Sequence, residues 1–100
     1  MIINKAVEGT TLFITLIGRL DANTSPELEE ELYKSLDGMD SVIYDFKDLD
    51  YISSAGLRVL LISQKQMNRI GGTMIIKHVN DIVNDIFEVT GFTDILTIEE

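Results

Sequence analysis

Two adjacent serines, Ser53 and Ser54, precede Ala55-Gly56 and a long stretch with helical apolar spacing. A serine at a helix start can cap free N–H groups, hold an anion against the positive end of the helix dipole, or accept a phosphoryl group. The pair does not make a hydrolase. A nucleophile elbow needs Gly-x-Ser-x-Gly with a partner histidine and acid, and residues 51–57 read Tyr-Ile-Ser-Ser-Ala-Gly-Leu. The single histidine, His78, stands beside Lys77 at the end of an expected strand. A lone histidine there takes a structural or solvent-facing role. Asp45, Asp48 and Asp50 crowd one region, with Asp21 as a further acid. Magnesium is conceivable there. However, the spacing fits no calcium loop and loop acids are usually solvated, so no metal is expected. There is no cysteine, which excludes disulfides, thiol catalysis and Cys-ligated zinc. Gly-x-x-x-x-Gly-Lys-Ser/Thr is absent too. Nothing argues for an enzyme, and no cofactor is expected.

The elements that must position these residues alternate along the chain. Ile2–Val7, a turn at Glu8-Gly9-Thr10, and the alternating Thr11–Ile17 predict a β-hairpin. A helix follows, with Thr24 or Ser25 as cap, Pro26 in the first turn, and acids at its positive end. Leu28, Leu32 and Leu36 form its apolar stripe, and Gly38 ends it. Ser41–Phe46 reads as a buried strand. A loop over Phe46–Ala55 leads into a helix over Leu57–Ile70. There Leu57, Leu60, Leu61, Gln64 and Met67 share a face, with Val59 and Ile70 at its border, opposite Arg58, Lys65 and Arg69. Thr73–Val79 is a further strand, Asn80 or Asp81 caps a short helix closed by Gly91, and Ile95–Ile98 is a last edge strand. The order β-β-α-β-α-β-α-(β) implies an α/β domain with parallel crossovers beside an antiparallel hairpin. In open sheets of this kind, function gathers at the carboxyl ends of the parallel strands. Those ends feed the loops Gly18–Ser25, Phe46–Ala55 and Val79–Asp81.

With 100 residues, 45% hydrophobic and 25% charged, the chain fits one folded domain spanning residues 1–100. Eight basic residues face 17 acidic ones, a net charge of −9. Such a field repels phosphate backbones and anionic lipid, so nucleic acid and direct membrane binding are not expected. The longest apolar run, Val59–Ile62, is far short of the roughly 20 residues that span a bilayer. Met1–Lys5 has no apolar core of signal-peptide length. A cytoplasmic location is expected. A chain without coiled-coil heptads is expected to be a monomer when free.

Three segments together carry a family resemblance. They are Gly18-Arg19-Leu20-Asp21, Val42-Ile43-Tyr44-Asp45-Phe46 and Tyr51-Ile52-Ser53-Ser54-Ala55-Gly56-Leu57. Along its whole length the chain resembles a STAS domain, in particular the bacterial anti-sigma factor antagonists. The resemblance implies a mixed, mostly parallel sheet of four to five strands, with helices mainly on one face. It also implies a regulatory binding module. In that family the unphosphorylated protein binds a kinase-type anti-sigma factor and frees the sigma factor. The kinase, using its own ATP and Mg, phosphorylates a serine in this loop and breaks the complex. Residue by residue, the acceptor falls on Ser54. The family often carries Asp before the acceptor and Ser or Thr after it. This chain has Ser53 and Ala55, which makes Ser53 the second candidate. The implied partner surface is Asp21, Asn23 and Thr24, the turn Ser53, Ser54, Ala55 and Gly56, and the solvent side of the next helix at Arg58 and Ile62. STAS-like subunits also serve as soluble accessory proteins of membrane lipid ABC transporters, without a phosphate switch. That is the alternative expectation.

Overall fold

The computed structural model describes residues 1–99. The hairpin forms from β1 (Ile2–Glu8) and β2 (Thr11–Leu20), paired antiparallel with Glu8 opposite Thr11. Gly9 turns the chain at φ 61°, in the left-handed region glycine enters without a Cβ clash. Next come α1 (Ser25–Ser35), β3 (Ser41–Asp45), β4 (Leu49–Ile52), α2 (Ser54–Arg69), β5 (Thr73–Lys77), α3 (Asp81–Thr90) and β6 (Ile98–Glu99). The sheet has six strands in the order β1-β2-β3-β5-β6, with β4 on the upper part of β2. Every pairing except the hairpin is parallel.

The strand count exceeds the expected four to five because of β4, in the segment read as the loop Phe46–Ala55. It has only four residues, one of them Asp50, a poor strand former. What makes it a strand is distant. β2 runs on past Gly18 to Leu20, and Gly18, Arg19 and Leu20 pair with Leu49, Tyr51 and Ile52. The register shifts between Gly18 and Arg19, a bulge that lets β2 change neighbours from β3 to β4. The last strand is Ile98–Glu99, later than Ile95–Ile98, because a 3₁₀ turn at Phe92–Asp94 takes up the chain first.

One face of the sheet makes the core. Leu12, Ile14, Leu16 and Leu20 of β2 join Val42 and Tyr44 of β3 and Met74 and Ile76 of β5. Onto them pack Leu28 and Leu32 of α1, Leu57, Val59, Leu60 and Met67 of α2, and Val83 and Phe87 of α3. The period of two in the strands meets the period near 3.6 in the helices. Ile70 and Leu61 depart from the expected apolar face. Ile70 is exposed at the end of α2 and Leu61 is half-buried, while Ser63 is buried. Ser63 is inside because it is bonded. It accepts from the hydroxyl of Tyr44 at 3.1 Å and lies 3.0 Å from the Leu60 carbonyl, to which it donates. Burial pushes the Tyr44 hydroxyl pKa up, so it stays neutral.

This pair predicts an asymmetry. Tyr44→Phe leaves Ser63 bonded to Leu60 and should cost about 1 kcal/mol. Ser63→Ala strands the Tyr44 hydroxyl in the core and should cost more, about 1–3 kcal/mol. Thermal melts of both variants check the order, and a larger loss for Tyr44→Phe would contradict it.

Candidate functional site

The site lies where β2 and β4 end. The Ser53 N–H donates to the Leu20 carbonyl at 2.9 Å, and the Gly18 N–H to the Asp48 carbonyl at 3.0 Å. These bonds set the loop after β2 beside the turn into α2. Gly56, in the first turn of α2, is buried. A Cβ there would lie 2.7 Å from Leu20 Cγ and 2.8 Å from Ile52 Cγ1. The helix start can seat on these two strand ends only because the side chain is missing. Gly56, expected on the partner surface, is buried here, and its missing side chain serves the packing of α2 on the strand ends.

The two serines end up in different environments. Ser53 occupies the N-cap position with extended backbone, but its side chain makes no capping bond. Its hydroxyl is buried and has no hydrogen-bond partner among the described residues. Ser54, the first residue of α2, is exposed. It sits on the positive end of a 16-residue helix whose first turn carries no acid. Capping by either serine, the ordinary explanation for serines here, is not made by Ser53.

Asp21 holds its own loop together. Its Oδ1 accepts from the N–H groups of Asn23 at 3.0 Å and Thr24 at 3.2 Å, and from the Thr24 hydroxyl. Partial burial raises the carboxyl pKa. The bonds from Asn23 and Thr24, with the nearby Arg19 charge, outweigh it and hold the pKa below the ordinary value. Thr24 occupies the N-cap position of α1 without capping it, because its hydroxyl oxygen already accepts the Asp21 N–H at 2.9 Å. The loop is internally braced, and Asn23 is exposed at its tip.

Arg58 and Ile62 face outward on α2, and Ile62 is 39% exposed. Arg58 pairs with Glu29 of α1 at 3.3 Å. Between the two helices runs an open groove of about 510 Å³, lined by Leu32, Tyr33, Leu36, Arg58 and Ile62 among others. Tyr33, 85% exposed, was not singled out from the sequence. Its only signal there is that it falls one residue off the Leu28–Leu32–Leu36 stripe.

The acids do not gather into a metal centre. Asp45 accepts from the Lys47 N–H at 2.9 Å and lies 3.0 Å from His78 Nδ1. Burial raises its pKa, but the Lys47 N–H and His78 together lower it further. Among the described residues, no group of three or more His, Cys, Asp or Glu could hold a metal ion. His78 is exposed, as expected, and takes a left-handed backbone at φ 61°. No helix of the described residues is long and apolar enough to cross a membrane.

Comparison with known families matches residues 2–100 to the STAS domain. The chain belongs to the STAS family. BtrV of Bordetella bronchiseptica is 36% identical over 88 residues, which cover 87% of this chain and 76% of that one. The anti-sigma-B factor antagonist of Staphylococcus aureus is 32% identical over 84 residues, covering 83% and 78%. SpoIIAA of Bacillus has the same STAS fold. Its phosphorylated form superposes with a TM-score of 0.77 at 17% identity, covering 99% of this chain and 92% of that chain.

Two outcomes check this geometry of the STAS site. Gly56→Ala should gain about 1 kcal/mol of helix propensity and lose about 1–3 kcal/mol to overpacking on Leu20 and Ile52. The melting temperature should therefore fall; a rise would show that the turn can open at no cost. An Asp21 pKa depressed by folding gives stability that is present above the ordinary carboxylate value and lost as pH falls through the folded value. The amide signals of Asn23 and Thr24, followed by NMR in an acid titration, should move with a midpoint below 3.8. A midpoint at or above that value would remove the bonding of the loop from the account.

Proposed function

We propose that this STAS domain is an anti-sigma factor antagonist. On this reading its unphosphorylated form binds a kinase-type anti-sigma factor and releases the sigma factor, and phosphorylation of Ser54 ends the complex. The kinase brings ATP and Mg, and this chain serves as substrate and ligand rather than as catalyst. The observation that carries the reading is the split between the serines. Ser54 is exposed at the start of α2, whereas the Ser53 hydroxyl is buried. A kinase can reach Ser54 without opening the turn, so Ser53, the second candidate, falls behind it. The relatives above 30% identity support the antagonist role, and no feature of the site favours the transporter-accessory alternative.

The electrostatics suggest where the switch acts. A phosphoryl group adds about −1.5 to −2 charges at neutral pH. At the N-terminus of α2 that charge meets free N–H groups, so the helix itself should tolerate it. The disruption must then arise across the interface. A phosphoryl group pressed against partner atoms loses its hydration without compensation, at a cost on the order of 2–5 kcal/mol, or tens to thousands in affinity. The partner would cover Asn23, Ser54, Arg58 and Ile62, with Asp21, Thr24, Ser53 and Ala55 shaping the surface beneath. The acidic balance of the chain suits a partner with a basic patch.

Affinity capture with paired baits tests this. Ser54→Ala should bring down a histidine-kinase-like ATPase from the native lysate, and Ser54→Asp should lose it. Ser53→Ala should leave phosphate incorporation intact with that kinase and ATP. The same membrane transporter subunits on both Ser54 baits would sink the reading. Ile62→Asp should weaken capture with little change in melting temperature, whereas a large stability loss would place Ile62 in the core and off the interface.

A further inference from the structure

Helix α3 has one apolar face that the core uses and a second that it does not. Val83 and Phe87 are fully buried, and Ile86 packs against the core from its edge. Ile82 and Val89 flank Ile86 at i−4 and i+3, forming one ridge along the helix. Yet Ile82 is 61% exposed and Val89 is 87% exposed. Both are β-branched, so neither is there for helix propensity.

Beside that ridge, Asp81, Asp85 and Glu88 repeat the same spacing one residue earlier. They make a parallel acidic ridge on a helix that carries no Lys, Arg or His. Three of the four acids of α1 differ. Glu29 pairs with Arg58, Glu30 with Lys34 and Glu31 with Lys5. Among the described residues no ion pair includes Asp81, Asp85 or Glu88. Among the described residues the Glu88 carboxylate accepts only a 3.3 Å bond from the side chain of Asn84. A solvated face would account for the acids, but not for the two exposed apolar residues alongside them.

We infer that the outer face of α3 docks a basic amphipathic helix of a partner protein, with Ile82 and Val89 as apolar anchors and Asp85 and Glu88 facing its cations. Charge complementarity selects this occupant. A second copy would set one acidic ridge against another, and an anionic membrane would be repelled by the same charges. Apolar anchors at this spacing are what a helix-on-helix contact reads. The ridge shares no residue with the surface proposed around Ser54, and α3 is tied to the beginning of β4, where the Asn80 side-chain amide donates to the Leu49 carbonyl at 2.7 Å. It therefore stands whether or not Ser54 is phosphorylated.

The test titrates the full isotope-labelled chain with a Leu/Lys amphipathic helical peptide at low salt, and with its Leu/Glu counterpart. The Leu/Lys peptide should shift the amide signals of residues 81–90, and the Leu/Glu peptide should not. Val89→Ser and Asp85→Lys should each weaken binding by about tenfold. Both positions are exposed, so the melting temperature should hold. The inference is overturned by no binding, by shifts in the α1–α2 groove instead, or by equal binding of the two peptides. Self-association of the chain that Val89→Ser abolishes would overturn it as well.

Discussion

The Leu20 carbonyl accepts the N–H of Ser53, and Gly56 closes onto the side chains of Leu20 and Ile52. Everything at the upper edge of the sheet depends on this junction. It requires β2 to outrun β3, which the bulge after Gly18 allows. It requires β4 to exist, although four residues would not make a stable strand alone. It also requires the first turn of α2 to press against the strand ends without a side chain between them. The hydrogen bond fixes direction and the missing Cβ fixes depth. Together they decide which serine faces solvent.

On the function proposed above, the same junction would let a rigid fold carry a switch. Asp21 braces the neighbouring loop with bonds from its own backbone. Ser54 then stands beside a loop held by its own hydrogen bonds. A phosphoryl group there would change charge at one point while the helix end below absorbs it. On that reading the information passes through desolvation at the interface, and no rearrangement of the domain is needed.

The net charge of −9 is unevenly managed. Along α1 each glutamate of the run Glu29–Glu31 has a basic neighbour. Those contacts tie α1 to β1 and to α2. Exposed pairs of this kind add little stability, but they do neutralise one surface. The acids of α3 lack that treatment and lie beside exposed apolar residues, so the two helices present different chemistry to a partner.

Much was legible from the sequence. Strict alternation over Thr11–Ile17, a stripe of leucines at every fourth position in α1, and glycines at the turns set the elements, because each depends on neighbours only a few residues away. That the two serines stand at the start of a helix was readable for the same reason. The resemblance to the STAS family named the acceptor as Ser54 but left Ser53 beside it. Tertiary structure alone decided the rest. Leu49–Ile52 became a strand through pairing with residues some thirty positions earlier. Ser63 went inside because Tyr44 and Leu60 supply its hydrogen bonds. Gly56 became a packing residue, and the Ser53 hydroxyl was buried while Ser54 stayed exposed. Local periodicity reports which face a residue takes on its own element. It does not report what arrives opposite that face, and hydrogen-bond satisfaction and close packing are settled by what arrives.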